Sequence, residues 1–491
     1  MTYTKERQAL KAEGLLRQSK AEGAVEAPAK RGRSGMLGFT VIWVGQMLSL
    51  LGTTMTGFAL TIWAWQVTGQ ATALAFVGFA SFAPVVLFSP VAGAIVDRYD
   101  RKKIMMLADL AAGLPTVALF LLYSTGNLQI WMLYVTGAIS GTFQSFHFPA
   151  YSAAVTMMVH KKHYARAQSM LATAEFASGF FAPIAAALLL NIAGIEGIMM
   201  IDITTLSVAL AMLLLVYIPK PPITEEGRSS VGSLWKESLY GFRYIIKYPS
   251  LLGLQLTFLA NNFLGSMYFT LLAPMVLSRT GDNSIIYGSV MSAAAIGGMI
   301  GSIVLTLWGG PKRRIHGVLL GWTLSHLIGT VLMGLGADAT VWIPVSFAGM
   351  FVSPVINASN QAIWQSKVVP DLQGRVFATR RLIAQVSAPP AMVLAGLLAD
   401  AVFEPAMKPG GALAPIFGWL VGTGEGSGMA LIFILTGLLG AAFSLSVYAI
   451  RTVRDVETII PDHDIQKTAS EPAGNEKPNE NNPRGMEGQN P

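Results

Sequence analysis

From residue 37 to residue 450 the chain is a succession of apolar windows, each about 20 residues long, separated by short charged turns. That is the length an α-helix needs to cross a bilayer, where every backbone polar group must be satisfied within its own helix. About twelve such windows are found. They lie at 37–65, 73–95, 104–123, 128–157, 167–191, 197–218, 250–277, 285–308, 315–336, 341–365, 382–402 and 427–450. Only 12% of the residues are charged against 53% hydrophobic, and a soluble chain needs roughly 25% charge to cover its surface. The sequence therefore predicts an all-α, multi-pass membrane protein and argues against a soluble enzyme with a catalytic residue set.

Charge placement predicts the topology. Every Lys and Arg except Arg279 and Lys408 lies in the N-terminal tail, in the turns 96–103, 158–166, 309–314 and 366–381, in the linker 219–249, or in the C-terminal tail. Such alternation is the positive-inside pattern of an even number of spans with both termini in the cytoplasm of a cell (inner) membrane. The net charge of +7 is then a topology signal, and no nucleic-acid partner is expected. With no Cys, thiol nucleophiles, disulfides and Cys-ligated metals are excluded. No metal site or cofactor is expected. No G-x-x-x-x-G-K-[ST] loop supplies ATP drive, and "GTGEGSG" within 403–426 lacks Lys and follows no strand, so it reads as turns.

The halves repeat at an offset of about 210 residues. Arg166 and Arg375 stand in equivalent turns, as do Arg101-Lys102-Lys103 and Lys312-Arg313-Arg314. Twelve spans with this period predict two pseudo-symmetric six-helix bundles around a central cavity. The expected divisions are a cytoplasmic tail 1–36, a bundle 37–218, a cytoplasmic linker 219–249, a bundle 250–450 and a disordered cytoplasmic tail 451–491, rich in Pro, Asn, Glu and Gly beyond 461. Residues 1–35 lack the apolar core of a secretory signal, so the first span is expected to insert by itself. In the linker, Trp235, Leu239, Phe242 and Ile246 recur at helical spacing with Lys236, Arg243 and Lys247 between them. This predicts an amphipathic helix lying on the inner membrane surface.

Polar residues inside spans are costly and mark candidate sites. Glu175 lies about 12 Å into the fifth span with no basic residue assigned to any span to neutralise it. It is the leading candidate for carrying a proton or recognising a cation, against a merely hydrogen-bonded acid. Asp109 lies about 8 Å into the third span, either paired with Arg98, Arg101 or Arg166 or carrying a proton. His147 is a further titratable candidate. Asp202 and Asp400 read as solvated helix ends. Thr53, Thr54, Gln144, Asn261, Asn262 and Asn357 recur on spans 1, 4, 7 and 10 and are candidate cavity residues, and Pro354 can bend span 10. An interior with carboxylates and no cation suits neutral or cationic amphipathic cargo.

The turn "GAIVDRYDRKK" at 93–103 resembles the signature of the major facilitator superfamily, with Gly93, Asp97, Arg98, Arg101 and Lys102 at the matching positions. Asp100 replaces the family's usual Gly, a departure similar to that of the drug-efflux branch containing macrolide and enterobactin exporters. The first span enters with Trp43, Gly45 and Gln46, as that branch does. Ser178, Ala182, Pro183, Ala186 and Ala187 resemble the Gly- and Pro-containing motif of the family's antiporters, whereas Gly137 falls where many proton-coupled exporters carry Arg. The resemblance implies a secondary active transporter that exports hydrophobic or amphipathic, drug-like molecules by proton antiport and alternating access. Its partners would be a small-molecule substrate, a proton gradient and the lipid bilayer, and it would act as a monomer. It also implies that the 93–103 turn is a conformational latch. Packing alone is the competing reading of that turn. Export of a siderophore or other endogenous metabolite, lipid flipping, and a non-transporting sensor are the alternative functions.

Overall fold

The computed structural model describes residues 35–218 and 234–462. Among these, all regular structure is helical. The first half contains α1 (Met36–Thr68), α2 (Ala71–Arg98), α3 (Arg101–Ser124) and α4 (Ile130–Met158). Next comes a 52-residue helical run, Tyr164–Leu215, too long for one crossing. It turns at Gly194, where φ is 64°, a value glycine adopts without a side-chain clash. Its arms are α5 (164–193) and α6 (195–215). The second half contains α7 (Pro249–Thr280), α8 (Ser284–Trp308), α9 (Arg314–Leu335), α10 (Ala339–Lys367), α11 and α12 (Ser427–Ala449). Helix α11 runs from Pro370–Val386 through Ala388–Leu398 to Met407.

Among the described residues ten helices are long and apolar enough to cross a membrane when the Gly194 run is counted once. Dividing that run and adding α4, 29 residues long but less apolar because of residues such as Gln144 and His147, gives the expected twelve. The basic turns gather at one end of the molecule, called here the basic end. The opposite end is the far end.

The apolar cores are distributed unevenly between the ends. At the far end one continuous cluster joins both halves, from Met55, Phe58 and Ile62 of α1 to Leu271, Tyr287, Trp342 and Ala395. At the basic end each half has its own cluster. One holds Phe39, Met105, Ala154 and Leu213, the other Leu254, Ile315, Trp364 and Val376. The two bundles are therefore sealed together at the far end and separate cores at the basic end. Within the bundles, small residues set the spacing. A Cβ on Gly52 of α1 would lie 2.4 Å from Thr205 Oγ1 and 2.9 Å from the Asp202 Cα, so only glycine lets α6 approach there. Helix α10 is interrupted at Val352, two residues before Pro354.

Two boundaries and the packing of the linker helix differ from the sequence expectation. Helix α11 begins at Pro370 instead of 382, which brings Arg380 and Arg381 inside it. Residues 451–462, expected to belong to a disordered tail, form two short helices, with Val453, Val456 and Ile460 buried in the basic-end core of the second half. Lys367 Nζ donates to the Glu457 carbonyl at 2.6 Å and pairs with Asp462 at 2.8 Å. Residues 463–491 and most of the tail 1–36 lie outside the described residues. The linker contains a helix, Leu234–Lys247, but it buries Ile245 against α7 while Ile246 points outward. The side chains of Trp235, Lys236 and Leu239 lie outside the described residues.

Candidate functional site

The first half encloses a cavity of about 270 Å³ lined by α1, α3, α4, α5 and α6. Its wall carries Asp109, Glu175, Asp202, His147, Gln144 and Thr53, gathering the proton-coupling candidates and two of the cavity candidates into one place. The entry to α1 explains how this is built. Trp43 donates its indole N–H to the Met170 carbonyl at 2.6 Å, fixing α1 against α5. A Cβ on Gly45 would meet the Ala209 Cα at 3.1 Å, so α6 passes close by. Gln46 donates to Asp109 Oδ2 at 2.8 Å.

Asp109 is buried, and its other oxygen lies 2.9 Å from His147 Nε2. That contact is off the in-line direction of a hydrogen bond, so it acts as a charge pair when the imidazole holds a proton. Asp109 thus takes its partners from α1 and α4, and the expected pairing with the basic-end arginines is replaced. The Tyr151 hydroxyl is buried nearby with no hydrogen-bond partner among the described residues. Asp202 is also no solvated helix end. It is buried, accepting from Thr53 Oγ1 at 3.0 Å and Thr116 Oγ1 at 3.4 Å. Glu175 differs from both, because its side chain is exposed toward the cavity and makes no hydrogen bond or ion pair among the described residues.

Thr54 does not join this wall. It bonds Ser178 at 2.8 Å and holds α1 to α5. Asn261 is fully buried inside the second half, bonded to His326 Nε2 at 2.8 Å and to Ser444 at 3.1 Å. Its neighbour Asn262 and Asn357 instead line two cavities of the second half, of about 260 and 520 Å³. The larger of these also contains Arg380, Arg381, Gln255 and Gln361, with Phe82 contributed by α2. The expectation of an interior without cations is therefore corrected. The reason is that charge does not end this helix, which extends past Arg380 and Arg381 back to Pro370.

The far-end seal is polar as well as apolar. Asp400 of α11 accepts from the backbone N–H groups of Ala71 at 3.1 Å and Thr72 at 2.7 Å, capping the N-terminus of α2 across the two halves. Trp65 donates to Asp282 at 2.9 Å, Phe58 stacks on Tyr287 at 5.0 Å, and Ser292 donates to the Phe180 carbonyl at 2.7 Å. Ser178, Ala182, Ala186 and Ala187 are buried in α5, and a Cβ on Gly288 of α8 would meet the Pro183 carbonyl oxygen at 2.9 Å. In the basic turn, Asp100 accepts from the Lys102 N–H at 3.0 Å and caps α3, while Lys102 Nζ bonds the terminal carbonyls of Leu214 and Val216. Arg101 is half-buried beside them. The side chains at Gly93, Asp97 and Arg98 lie outside the described residues.

The comparisons agree with this architecture. The family model described as Major Facilitator Superfamily matches residues 42–392. Macrolide efflux protein A of Streptococcus pyogenes is 26% identical over 376 residues, covering 74% of this chain and 90% of that protein. The enterobactin exporter EntS of Escherichia coli O1:K1 / APEC is 24% identical over 353 residues, covering 70% and 77%. Among solved structures, a bacterial homolog of the human lysosomal transporter Spinster, inward-facing and unoccupied, superposes with a TM-score of 0.65 at 14% identity. That match covers 86% of this chain and 98% of the other. A twelve-helix body in two bundles and a family match over most of its length together place this chain in the major facilitator superfamily of membrane transporters.

Proposed function

We propose that the chain is a secondary active exporter of hydrophobic or amphipathic small molecules, driven by proton antiport and working by alternating access. The observation that carries this reading is the pairing of one shared far-end core with two separate basic-end cores. That asymmetry is the shape of a two-bundle transporter open at one end, and sorting of Lys and Arg makes the open end cytoplasmic, with both termini on that side. Similarity to a macrolide efflux protein and an enterobactin exporter supports outward movement.

Proton coupling rests on the wall of the first-half cavity. Glu175 faces the cavity with no compensating cation among the described residues, and Asp109 beside His147 forms a second place where a proton alters net charge. Protonation of either removes a charge imbalance that cargo or conformational change can exploit. Gly93, Asp97, Arg98, Arg101 and Lys102 serve as the latch at the basic end. Lys102 ties the start of α3 to the last turn of α6 within the first bundle, which would hold this turn rigid while the bundles rock.

The test is a survival screen of a drug-sensitive bacterial host expressing the chain, run against a broad compound panel with and without a gradient uncoupler. Export predicts protection against a subset of amphipathic compounds that the uncoupler abolishes. Unchanged sensitivity to the whole panel would reject the reading.

A further inference from the structure

The larger cavity of the second half holds two guanidinium groups and no carboxylate among its lining residues. Arg380 stacks 5.3 Å from the Trp364 ring and 5.7 Å from the Phe377 ring. Among the described residues its side chain makes one hydrogen bond, to the neutral acceptor Gln361 Oε1 at 3.0 Å. Arg381 is exposed, lies 5.7 Å over the ring of Phe148, and makes no hydrogen bond among the described residues. A guanidinium offers five N–H donors in a planar fork matched to carboxylate, sulfonate and phosphate. Among the described residues only one of those ten donors meets an acceptor.

Two features make these arginines more than topology markers. They lie about 15 Å along α11 from its start at Pro370, deeper than the turn where basic residues collect. Arg380 is also held in place by aromatic rings, which pre-organises its fork at little entropic cost. Phe148, under Arg381, lines the acidic cavity of the first half as well, so the basic and acidic walls meet at that ring. Asn262, Asn357 and Gln385 complete the basic wall with uncharged polar groups.

We propose that Arg380 and Arg381 form a subsite for an oxyanion on the cargo, so that the favoured substrates are amphiphiles with a carboxylate, sulfonate or phosphate beside an apolar body. This deepens the export reading and rests on it for the word cargo, whereas its test is equilibrium binding and needs no transport. The oxyanion would bridge the two guanidinium forks, while its apolar body lies along Phe82, Phe148, Phe258 and Phe377.

The probes are 1-anilinonaphthalene-8-sulfonate and its uncharged parent N-phenyl-1-naphthylamine, titrated by fluorescence onto the full chain in phosphatidylcholine nanodiscs, with empty discs subtracted. Arg381→Gln is the first variant, because that side chain carries no hydrogen bond on which folding depends. The expected result is sulfonate affinity about tenfold weaker with the neutral probe changed less than twofold, the size of one lost charge-assisted hydrogen bond. Adding Arg380→Gln should weaken the sulfonate further. Equal losses for both probes, or no loss for the sulfonate, would overturn the subsite. Discs containing phosphatidylglycerol separate cargo from lipid. Unchanged sulfonate affinity there supports a cargo site, and loss of binding would assign the arginines to a lipid headgroup and overturn the proposal.

Discussion

Replacing Asp400 with Ala should release the far end. In the closed arrangement its carboxylate accepts two backbone N–H groups of α2, from Ala71 and Thr72, at 3.1 and 2.7 Å. The N-cap residue of α2, Gln70, supplies no side-chain cap of its own, so Asp400 is the group that satisfies these donors. Losing an N-terminal cap costs about 1 kcal/mol, and the charge at the positive end of the helix dipole adds roughly 0.3 to 1 kcal/mol. A total of about 2 kcal/mol follows. Because α2 and α11 belong to different bundles, this energy exists only while the far end is closed. The closed-to-open ratio should therefore fall about 30-fold. The chain has no Cys, so spin labels at Asn127→Cys and Lys408→Cys, exposed far-end sites in opposite halves, report their separation without background. Pulsed electron–electron distance measurements should show a longer-distance population growing in Asp400→Ala. An unchanged distribution would refute the reasoning that this cap holds the bundles together.

Two other perturbations act on different parts of the fold. Gly52→Leu should cost about 1 to 3 kcal/mol by forcing α6 away from α1, and should lower the thermal unfolding midpoint of the purified protein. A midpoint equal to the parent's would show that the close approach is not needed. The second perturbation is acid. The hydrogen bond from Lys367 Nζ holds the Asp462 carboxyl below its ordinary value of 3.8. A depressed carboxylate stabilises docking of residues 451–462 above the free value, and that contribution is lost as pH falls through the docked one. A dye at Ile459→Cys should thus keep restricted anisotropy at neutral pH and lose part of it below about pH 4, and Asp462→Asn should flatten that change. Because Asp462 is half-exposed, the effect is small.

Much of the fold was legible because membrane insertion acts on the sequence locally. A crossing helix must be apolar over its own length, and basic turns sort by side, so spans and halves follow from windows and counts. Misreadings arose where partners come from elsewhere in the chain. Asp202 looked like a helix end because Thr53 and Thr116 lie on other helices. Asp400 looked solvated because its acceptor role depends on α2, more than 300 residues away. Asn261 and Asn262 are adjacent in sequence, yet a turn of 100° per residue sends one into the core and the other to a cavity. Arg380 and Arg381 read locally as the end of a span, whereas the helix continues through them and aromatic packing accommodates Arg380 within it. The signal that could have found them is the helical run of apolar residues on both sides, Val376 and Phe377 before and Leu382 and Ile383 after.

Proton-driven export is tested most directly by everted membrane vesicles carrying the full chain, energised acid-inside and given a radiolabelled compound against which the chain protects in the survival screen. The account predicts accumulation that stops when a protonophore collapses the gradient and is absent with Glu175→Gln, although that variant inserts normally. Accumulation that persists without the gradient, or that survives intact in Glu175→Gln, would contradict it.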